Sequence, residues 1–262
     1  MEKPLLGVVH LRPLPSSARG VPMRDVLSRA LADAEALARG GVTGFVVENF
    51  GDAPFHKGTA DDPVPPDVPA ALAVVAHALR ERFDLPLAIN CLRNDGIAAL
   101  AAAAVAGARW IRVNVFAGAY VTDQGVIEGE AARVLAYRRR LRADVDVLAD
   151  LLVKHAVPLQ PVDPGAAAMD LAERSGAAGL VLSGPRTGSP VDAGLLDAVR
   201  AAVGPFPVWI GSGLEPGNAG ALWPRCDGAI VGTFVKRGGR VDAPVDVARV
   251  RALVAALRRA RR

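Results

Sequence analysis

Apolar residues in this chain fall into short runs and longer spaced patterns that alternate from one end to the other. Residues 5–9, Leu-Leu-Gly-Val-Val, form an apolar run without helical spacing, as expected of a strand buried on both faces. A Pro-rich loop follows. Residues 25–39 then place Val26, Ala30, Ala34 and Leu37 on one side of a helix that Gly40 and Gly41 stop. The same alternation predicts strands over 45–47, 85–90, 110–114, 145–150, 180–182, 207–210 and 228–231. Helices are expected over 68–83, 97–106, 131–141, 163–175, 192–202, 217–223 and 245–259, with Asn94 and Asp95 as a cap ahead of residue 97. The segments 116–130 and 48–66 read as long loops. Eight strand-helix units in 262 residues predict one α/β domain, a closed (β/α)8 TIM barrel. An open doubly wound sheet is the runner-up, and no G-x-G-x-x-G follows the first strand to support it.

Strand parity then selects candidate chemistry. Alternate strand positions share a face, and Val8 precedes His10, Val46 precedes Glu48, Ala88 precedes Asn90, Arg112 precedes Asn114 and Leu148 precedes Asp150. With the first member of each pair facing the barrel axis, His10, Glu48, Asn90, Asn114 and Asp150 converge on one mouth. Such polar groups are costly to bury unless they meet one another, a ligand or a metal, and barrel enzymes keep their chemistry at this end. Glu48 and Asp150 are the candidate acid/base pair, with Asn90 and Asn114 beside them. Lys154 and His155 follow Asp150 closely. Lys154 reads either as an amine nucleophile, given burial or a neighbouring cation, or as a lysine that neutralises phosphate or faces solvent. A divalent metal is the minority reading: the ligand types are present, but no HExxH or carboxylate run fixes a spacing, and no organic cofactor motif is visible. Asp52, Asp123, Gln124 and Glu128 lie on the two long loops, which exceed what a connection needs and suggest lids or binding elements.

A phosphate site is expected near the end of the chain. Gly211-Ser212-Gly213 follows one strand and Gly232-Thr233 the next, and small-residue turns followed by a helix start can aim backbone N–H groups at an anion. Loops after strands seven and eight commonly hold phosphate in such barrels. Thr187-Gly188 after strand six resembles a further anion-binding turn, and Lys236 is the candidate counter-charge.

Composition narrows the function classes. The formal net charge is +4, but many arginines fall on expected outer helices, as in Arg138-Arg139-Arg140, or in the run Arg258, Arg259, Arg261 and Arg262. These read as solvated faces and helix C-termini rather than a nucleic-acid surface, although a basic tail suits peripheral contact with an anionic membrane. Cys91 and Cys226 are too few for a disulfide framework or a zinc site, which points to a reducing, cytoplasmic setting. Residues 1–4 lead directly into the first strand, so neither a signal peptide nor a membrane span is expected. Barrels of this size often pair into homo-dimers, and no motif marks an interface.

Several blocks together resemble the BtpA/SgcQ family: GVVHLRPLP, GGVTGFVVENFGDAPF, LAINCLRND, RWIRVNVFAGAYVTDQGVIEG, LADLLVKHAVPL, SGPRTGSPVD, IGSGLEPGN and DGAIVGTFVKRGG. The resemblance runs over essentially the whole chain. It implies a phosphate-binding barrel of the ribulose-phosphate type and fixes fold more than activity. The polar strand ends and small-residue turns add the expectation of an enzyme acting on a small phosphorylated ligand, a sugar or nucleoside phosphate, by isomerisation, aldol cleavage or glycosidic hydrolysis. The alternative is a non-catalytic assembly or regulatory factor, because the family name derives from photosystem I biogenesis, while the five polar strand ends favour catalysis. Among residues the resemblance emphasises His10, Glu48, Asn49, Asp52, Asn90, Arg93, Asn94, Asp95, Arg112, Asn114, Asp123, Gln124, Asp150, Lys154 and His155, with His10, Asn49, Asp52, Arg93, Asn94, Arg112, Asp123 and Gln124 as substrate contacts. Leu151-Leu152 departs from its pattern, where a more polar or shorter pair is expected.

Overall fold

A computed structural model describes residues 3–260; Met1, Glu2, Arg261 and Arg262 lie outside the described residues. Eight parallel strands close into a barrel: β1 (Leu5–His10), β2 (Gly44–Glu48), β3 (Leu87–Asn90), β4 (Trp110–Val113), β7 (Asp146–Leu151), β9 (Gly179–Leu182), β10 (Val208–Ile210) and β11 (Gly228–Val231). Outside it lie α1 (Met23–Gly40), α2 (Asp67–Arg82), α3 (Gly96–Ala106), α4 (Ala131–Leu141), α5 (Pro164–Arg174), α6 (Ala193–Val203), α7 (Ala219–Leu222) and α8 (Val247–Arg259). The expected TIM barrel is the observed fold.

The strands are apolar on both faces because each face meets a different core. Leu6, Val8, Val46, Ala88, Trp110, Leu148, Val181, Trp209 and Ile230 fill the barrel interior. Trp110 and Trp209 meet edge to face there, with ring centres 5.8 Å apart, a geometry worth about 1 kcal/mol beyond the burial itself. The intervening residues, such as Leu5, Val9, Phe45, Val47, Ile89 and Ile111, pack outward against the helices.

Two local features depart from the sequence expectation. The segment 116–130 is not a plain loop. It folds into a hairpin, β5 (Ala119–Thr122) and β6 (Gly125–Glu128), and β8 (Ala156–Pro158) adds to β5 as a third antiparallel strand. Tyr120 and Ile127 anchor this sheet on Val115 and Val153, so a cross-strand apolar pair outweighed the glycines and polar residues around it. The seventh helix is a single turn, α7, continued by a 3₁₀ turn at Trp223–Arg225. It begins several residues past Gly213, so no helix N-terminus adjoins that turn.

Candidate functional site

The barrel's parity rule, extended one step beyond the interior core, gives the last inward-facing position of each strand: His10, Glu48, Asn90, Arg112, Asp150, Ser183, Gly211 and Gly232. On β1 to β4 and β7 these are large and polar. On β9 to β11 they are Ser, Gly and Gly, which leaves space on one side of the mouth. A Cβ at Gly211 would lie 2.5 Å from the Ser183 hydroxyl and one at Gly232 would lie 2.7 Å from His10 Cε1, so both positions have to be bare. Gly213 is constrained differently. Its φ is +71° and a Cβ would meet the Ser189 carbonyl oxygen at 2.1 Å.

The resulting cavity has two lobes. The first, about 220 Å³, is lined by the turns Thr187-Gly188, Gly211-Ser212-Gly213 and Gly232-Thr233, with His10, Glu215 and Arg249. The second, also about 220 Å³, is lined by Asn90, Arg93, Asn114, Asp123 and His155. Glu48, Phe50, Arg112, Lys154 and Thr187 line both and form the junction.

The two carboxylates of the expected acid/base pair sit in different surroundings. Asp150 accepts two bonds from Arg112, from Nε at 2.7 Å and Nη2 at 2.8 Å, and a third from Asn114 Nδ2 at 2.9 Å. Asp150 lines neither lobe; with Tyr120 and Leu151 it lies along a separate groove, and its side chain is buried. A buried bidentate pair of this kind fixes Arg112 in place. Burial opposes charge on that guanidinium, but Asp150 and Glu48 outweigh it and its pKa is raised. Three donors therefore engage Asp150, the expected partner of Glu48 in the acid/base pair, and it does not line the cavity.

Glu48 is the carboxylate that faces both lobes. It accepts a 2.6 Å bond from Asn90 Nδ2, and His10 Nε2 stands 3.7 Å from its other oxygen, beyond hydrogen-bond range. The His10 pKa is held well below the usual imidazole range by burial and by the cations Lys236, Lys154 and Arg112, so the ring is neutral near pH 7. Lys154 is partly buried, and its pKa is lowered to about 8 by burial first and then by Arg112, against the pull of Asp150 and Glu48. His155 is exposed, pairs with Thr187 Oγ1 at 3.0 Å, and has a lowered pKa from partial burial and from Arg93 and Lys154.

Four buried polar atoms around this mouth have no hydrogen-bond partner: His10 Nδ1, Asn90 Oδ1, Asn114 Oδ1 and Ser183 Oγ. Buried polar atoms are rarely left unpaired, and a cluster of them is what a ligand would satisfy. Among the described residues, no group of three or more His, Cys, Asp or Glu side chains comes together to hold a metal ion.

A family model for the BtpA family matches residues 1–259. The chain belongs to the BtpA family. It is 46% identical over 255 residues to the photosystem I biogenesis protein BtpA of Synechocystis sp., covering 97% of this chain and 88% of that protein. An uncharacterized protein of Thermococcus kodakarensis is 46% identical over 253 residues, with 96% and 94% covered. Among solved structures, N-(5'-phosphoribosyl)anthranilate isomerase from Pyrococcus furiosus superposes with a TM-score of 0.58 at 14% identity, covering 98% of this chain and all of that one. Thiamine phosphate pyrophosphorylase from the same organism gives 0.55 at 14% identity, over 98% and 96%. These structural likenesses establish the barrel.

Several residues that the family resemblance emphasised are engaged away from the cavity, which corrects the expectation that they contact substrate. Asn49 donates to Asp52 Oδ2 and to the Leu92 carbonyl, and its own oxygen accepts from Leu92 N at 2.7 Å. Asp52 accepts from Leu14 N at 2.7 Å. Asn94 bonds both N and O of Val115; Asp95, expected as a helix cap rather than a substrate contact, does cap α3 by accepting from Ala98 N. These side chains tie together the loops that follow β1, β2, β3 and β4. Gln124, at the tip of the β5–β6 hairpin, bonds to Asp123 and lines neither lobe. The Leu151-Leu152 departure has a local account: Leu151 packs in the outer core, and Leu152 adopts a left-handed backbone at φ 56°.

Lys236 is a clearer correction. It is fully buried and its ammonium donates to Asp33 Oδ2 at 2.8 Å, between α1 and the chain after β11. It cannot serve the phosphate turns. The cation beside them is Arg249 on the first turn of α8, which donates to the Phe234 carbonyl at 2.5 Å and stacks over the Phe234 ring. Arg249 and Ser183 were missed because an arginine in the closing helix reads as a solvated face, and a lone serine past a strand reads as a turn residue. Arg249's place three positions into a helix that follows the last barrel strand was the available signal.

Proposed function

We propose that this protein is an enzyme acting on a small phosphorylated metabolite, a sugar or nucleoside phosphate. The phosphate is held in the first lobe by the turns at 187–188, 211–213 and 232–233, with Arg249 and Arg112 as counter-charges. Glu48 at the junction serves as general acid or base, and Lys154 and His155 stand beside it. The observation that carries this reading is the two-lobed cavity itself. One end is walled by bare turns and a cation, the other presents a carboxylate, two amides with orphaned oxygens and an amine. Two barrels of this fold carry phosphate-bearing compounds in their names, a phosphoribosyl compound and thiamine phosphate, which supports the class of ligand.

The test is a thermal-shift screen of the purified protein against inorganic phosphate and a panel of sugar and nucleoside phosphates. Ligand at a hundredfold excess over its dissociation constant stabilises the folded state by about 2.7 kcal/mol, well within reach of a melting curve. An enzyme then shows turnover of the stabilising compound that Glu48→Gln abolishes while the stabilisation persists. No shift with any phosphorylated compound would overturn the phosphate reading. A second reading, a non-catalytic assembly factor with the pocket as a ligand sensor, is favoured by the name of the Synechocystis relative. That role survives Glu48→Gln.

A further inference from the structure

We infer that Lys154 is an imine-forming nucleophile, and that the substrate is a phosphorylated aldehyde or ketone such as an open-chain sugar phosphate. The inference rests on the phosphate reading of the first lobe and adds the bond made at the junction.

The chain contains only four lysines among 31 Lys and Arg residues. Where a fixed positive charge is needed around this cavity it uses arginine: Arg93, Arg112 and Arg249. Guanidinium stays charged, whereas an amine can lose its proton and form a bond to carbon. Three of the lysines lie elsewhere. Lys236 is sealed against Asp33, Lys3 donates to the Trp223 carbonyl at 2.9 Å, and Lys57 lies on the loop after β2. Lys154 alone of the four lines the cavity.

Its setting suits a nucleophile more than a charge clamp. The ammonium makes no hydrogen bond or ion pair with any described residue, although Glu48 lines the same two lobes. Its backbone is pinned: Arg93 Nη2 donates to the Lys154 carbonyl at 2.6 Å, and Leu152 and His155 on either side are both left-handed, at φ 56° and 53°. Non-glycine residues in that region cost about 1 kcal/mol each, and such strain clusters where a side chain must be presented in one direction. Desolvation and the neighbouring Arg112 supply neutral amine near neutral pH. Standing at the junction, Lys154 meets the carbon chain of a compound whose phosphate occupies the first lobe.

The step balances without a co-reactant. Glu48 takes a proton from the ammonium, and the nitrogen lone pair attacks the carbonyl carbon as the C=O π pair moves to oxygen. Glu48 returns that proton to the oxygen. The second proton leaving nitrogen also passes to the oxygen, which departs as water while C=N⁺ forms. Of three ammonium protons, two leave in water and one stays on the iminium nitrogen.

The experiment is borohydride trapping of the full-length protein with dihydroxyacetone phosphate, glyceraldehyde 3-phosphate or ribulose 5-phosphate, beside their unphosphorylated counterparts, followed by peptide mass mapping. The expected result is a reduced adduct, the mass of the carbonyl compound less one oxygen, on the Lys154 peptide. It should exceed that on Lys57 by at least about tenfold, because a pKa near 8 gives a far larger neutral share than an ordinary lysine has. Inorganic phosphate should suppress it, and Lys154→Arg, shown by its melting curve to be folded, should lose it. Phosphorylated carbonyl compounds that raise the melting temperature but leave no adduct on Lys154 would overturn the imine and spare the phosphate site. An adduct at Lys154 indifferent to phosphate, and equal with unphosphorylated compounds, would keep the imine and overturn the phosphate site. Adducts spread over Lys3 and Lys57 with no excess at Lys154 would overturn the inference outright.

Discussion

Replacing Lys154 by methionine should make the protein more stable at neutral pH. The side chain keeps its length and loses its charge, and neither nearby carboxylate is orphaned: Asp150 retains Arg112 and Asn114, and Glu48 retains Asn90. A lysine that gives up its proton near pH 8 rather than at the usual 10.5 carries a charging penalty in the folded state. At about 1.4 kcal/mol per tenfold change in proton affinity that penalty is about 3 kcal/mol, and solvent reaching the partly exposed amine trims it to about 2. For a chain of this size the gain corresponds to a rise of about 4–8 °C in melting temperature. The sign follows from proton counting. The unfolded chain holds the proton up to about pH 10.5 while the folded protein releases it near pH 8, so wild type recovers stability as pH rises between these values. The advantage of Lys154→Met should therefore be full below pH 8, shrink through pH 9 and 10, and vanish above 10.5. Paired melts of both proteins across pH 7 to 11 measure it. A variant less stable than wild type at pH 7, or a difference that does not change with pH, would refute the picture of a desolvated, unpaired amine.

Gly213→Ala should lower stability by about 2 kcal/mol or more, since the new Cβ meets the Ser189 carbonyl in a left-handed turn, and phosphate should no longer protect the protein in melts. Arg249→Gln should weaken phosphate protection by about tenfold in affinity with the melting curve of the free protein little changed, as loss of one charge-assisted contact requires. Asp33→Asn should cost about 3–5 kcal/mol in denaturant unfolding, because it strands the buried Lys236 charge. Lys236→Met, by contrast, should leave the affinity for phosphate unchanged in any preparation that folds.

Much of the architecture was legible because the barrel writes a two-sided apolar rule into every strand, and the glycines that close the turns mark the strand ends. Parity also located His10, Glu48 and Asn90 at the mouth, since Val8, Val46 and Ala88 beneath them do face the axis. On β4 the rule began one step too high. Trp110 is the axial residue, Arg112 occupies the mouth and Asn114 stands above it, an offset invisible while a tryptophan can equally pack outward. The long loops were harder for a different reason. Asn49, Asp52 and Asn94 are polar residues next to strand ends, and nothing in a linear sequence distinguishes an amide aimed at a ligand from one aimed at the next loop's backbone. Lys236 illustrates the same limit: its partner Asp33 lies more than two hundred residues away, in a helix whose pattern reads as amphipathic and ordinary.

The orphaned atoms bear on whether the pocket is used or merely inherited. A barrel kept only as a scaffold gains by filling its mouth with apolar side chains, since a buried polar atom without a partner costs about 1–3 kcal/mol. Here Asn90 and Asn114 each spend their amide nitrogen on a carboxylate and leave the oxygen bare, while His10 and Ser183 each leave a polar atom unmatched. Gly211 and Gly232, at the ends of two neighbouring barrel strands, border a cavity of about 220 Å³ that is left unfilled. The unpaired charge of Lys154 adds about 2 kcal/mol on the same side of the balance. These penalties fall on one mouth and nowhere else along the barrel axis, where the interior is uniformly apolar. Instability concentrated at a cavity able to receive a ligand is what a working site costs. If Asn90→Leu and Asn114→Leu each raise stability while removing ligand protection in melts, the pocket is in use. If both lower it with ligand protection intact, the amide oxygens already have partners and the mouth is scaffold.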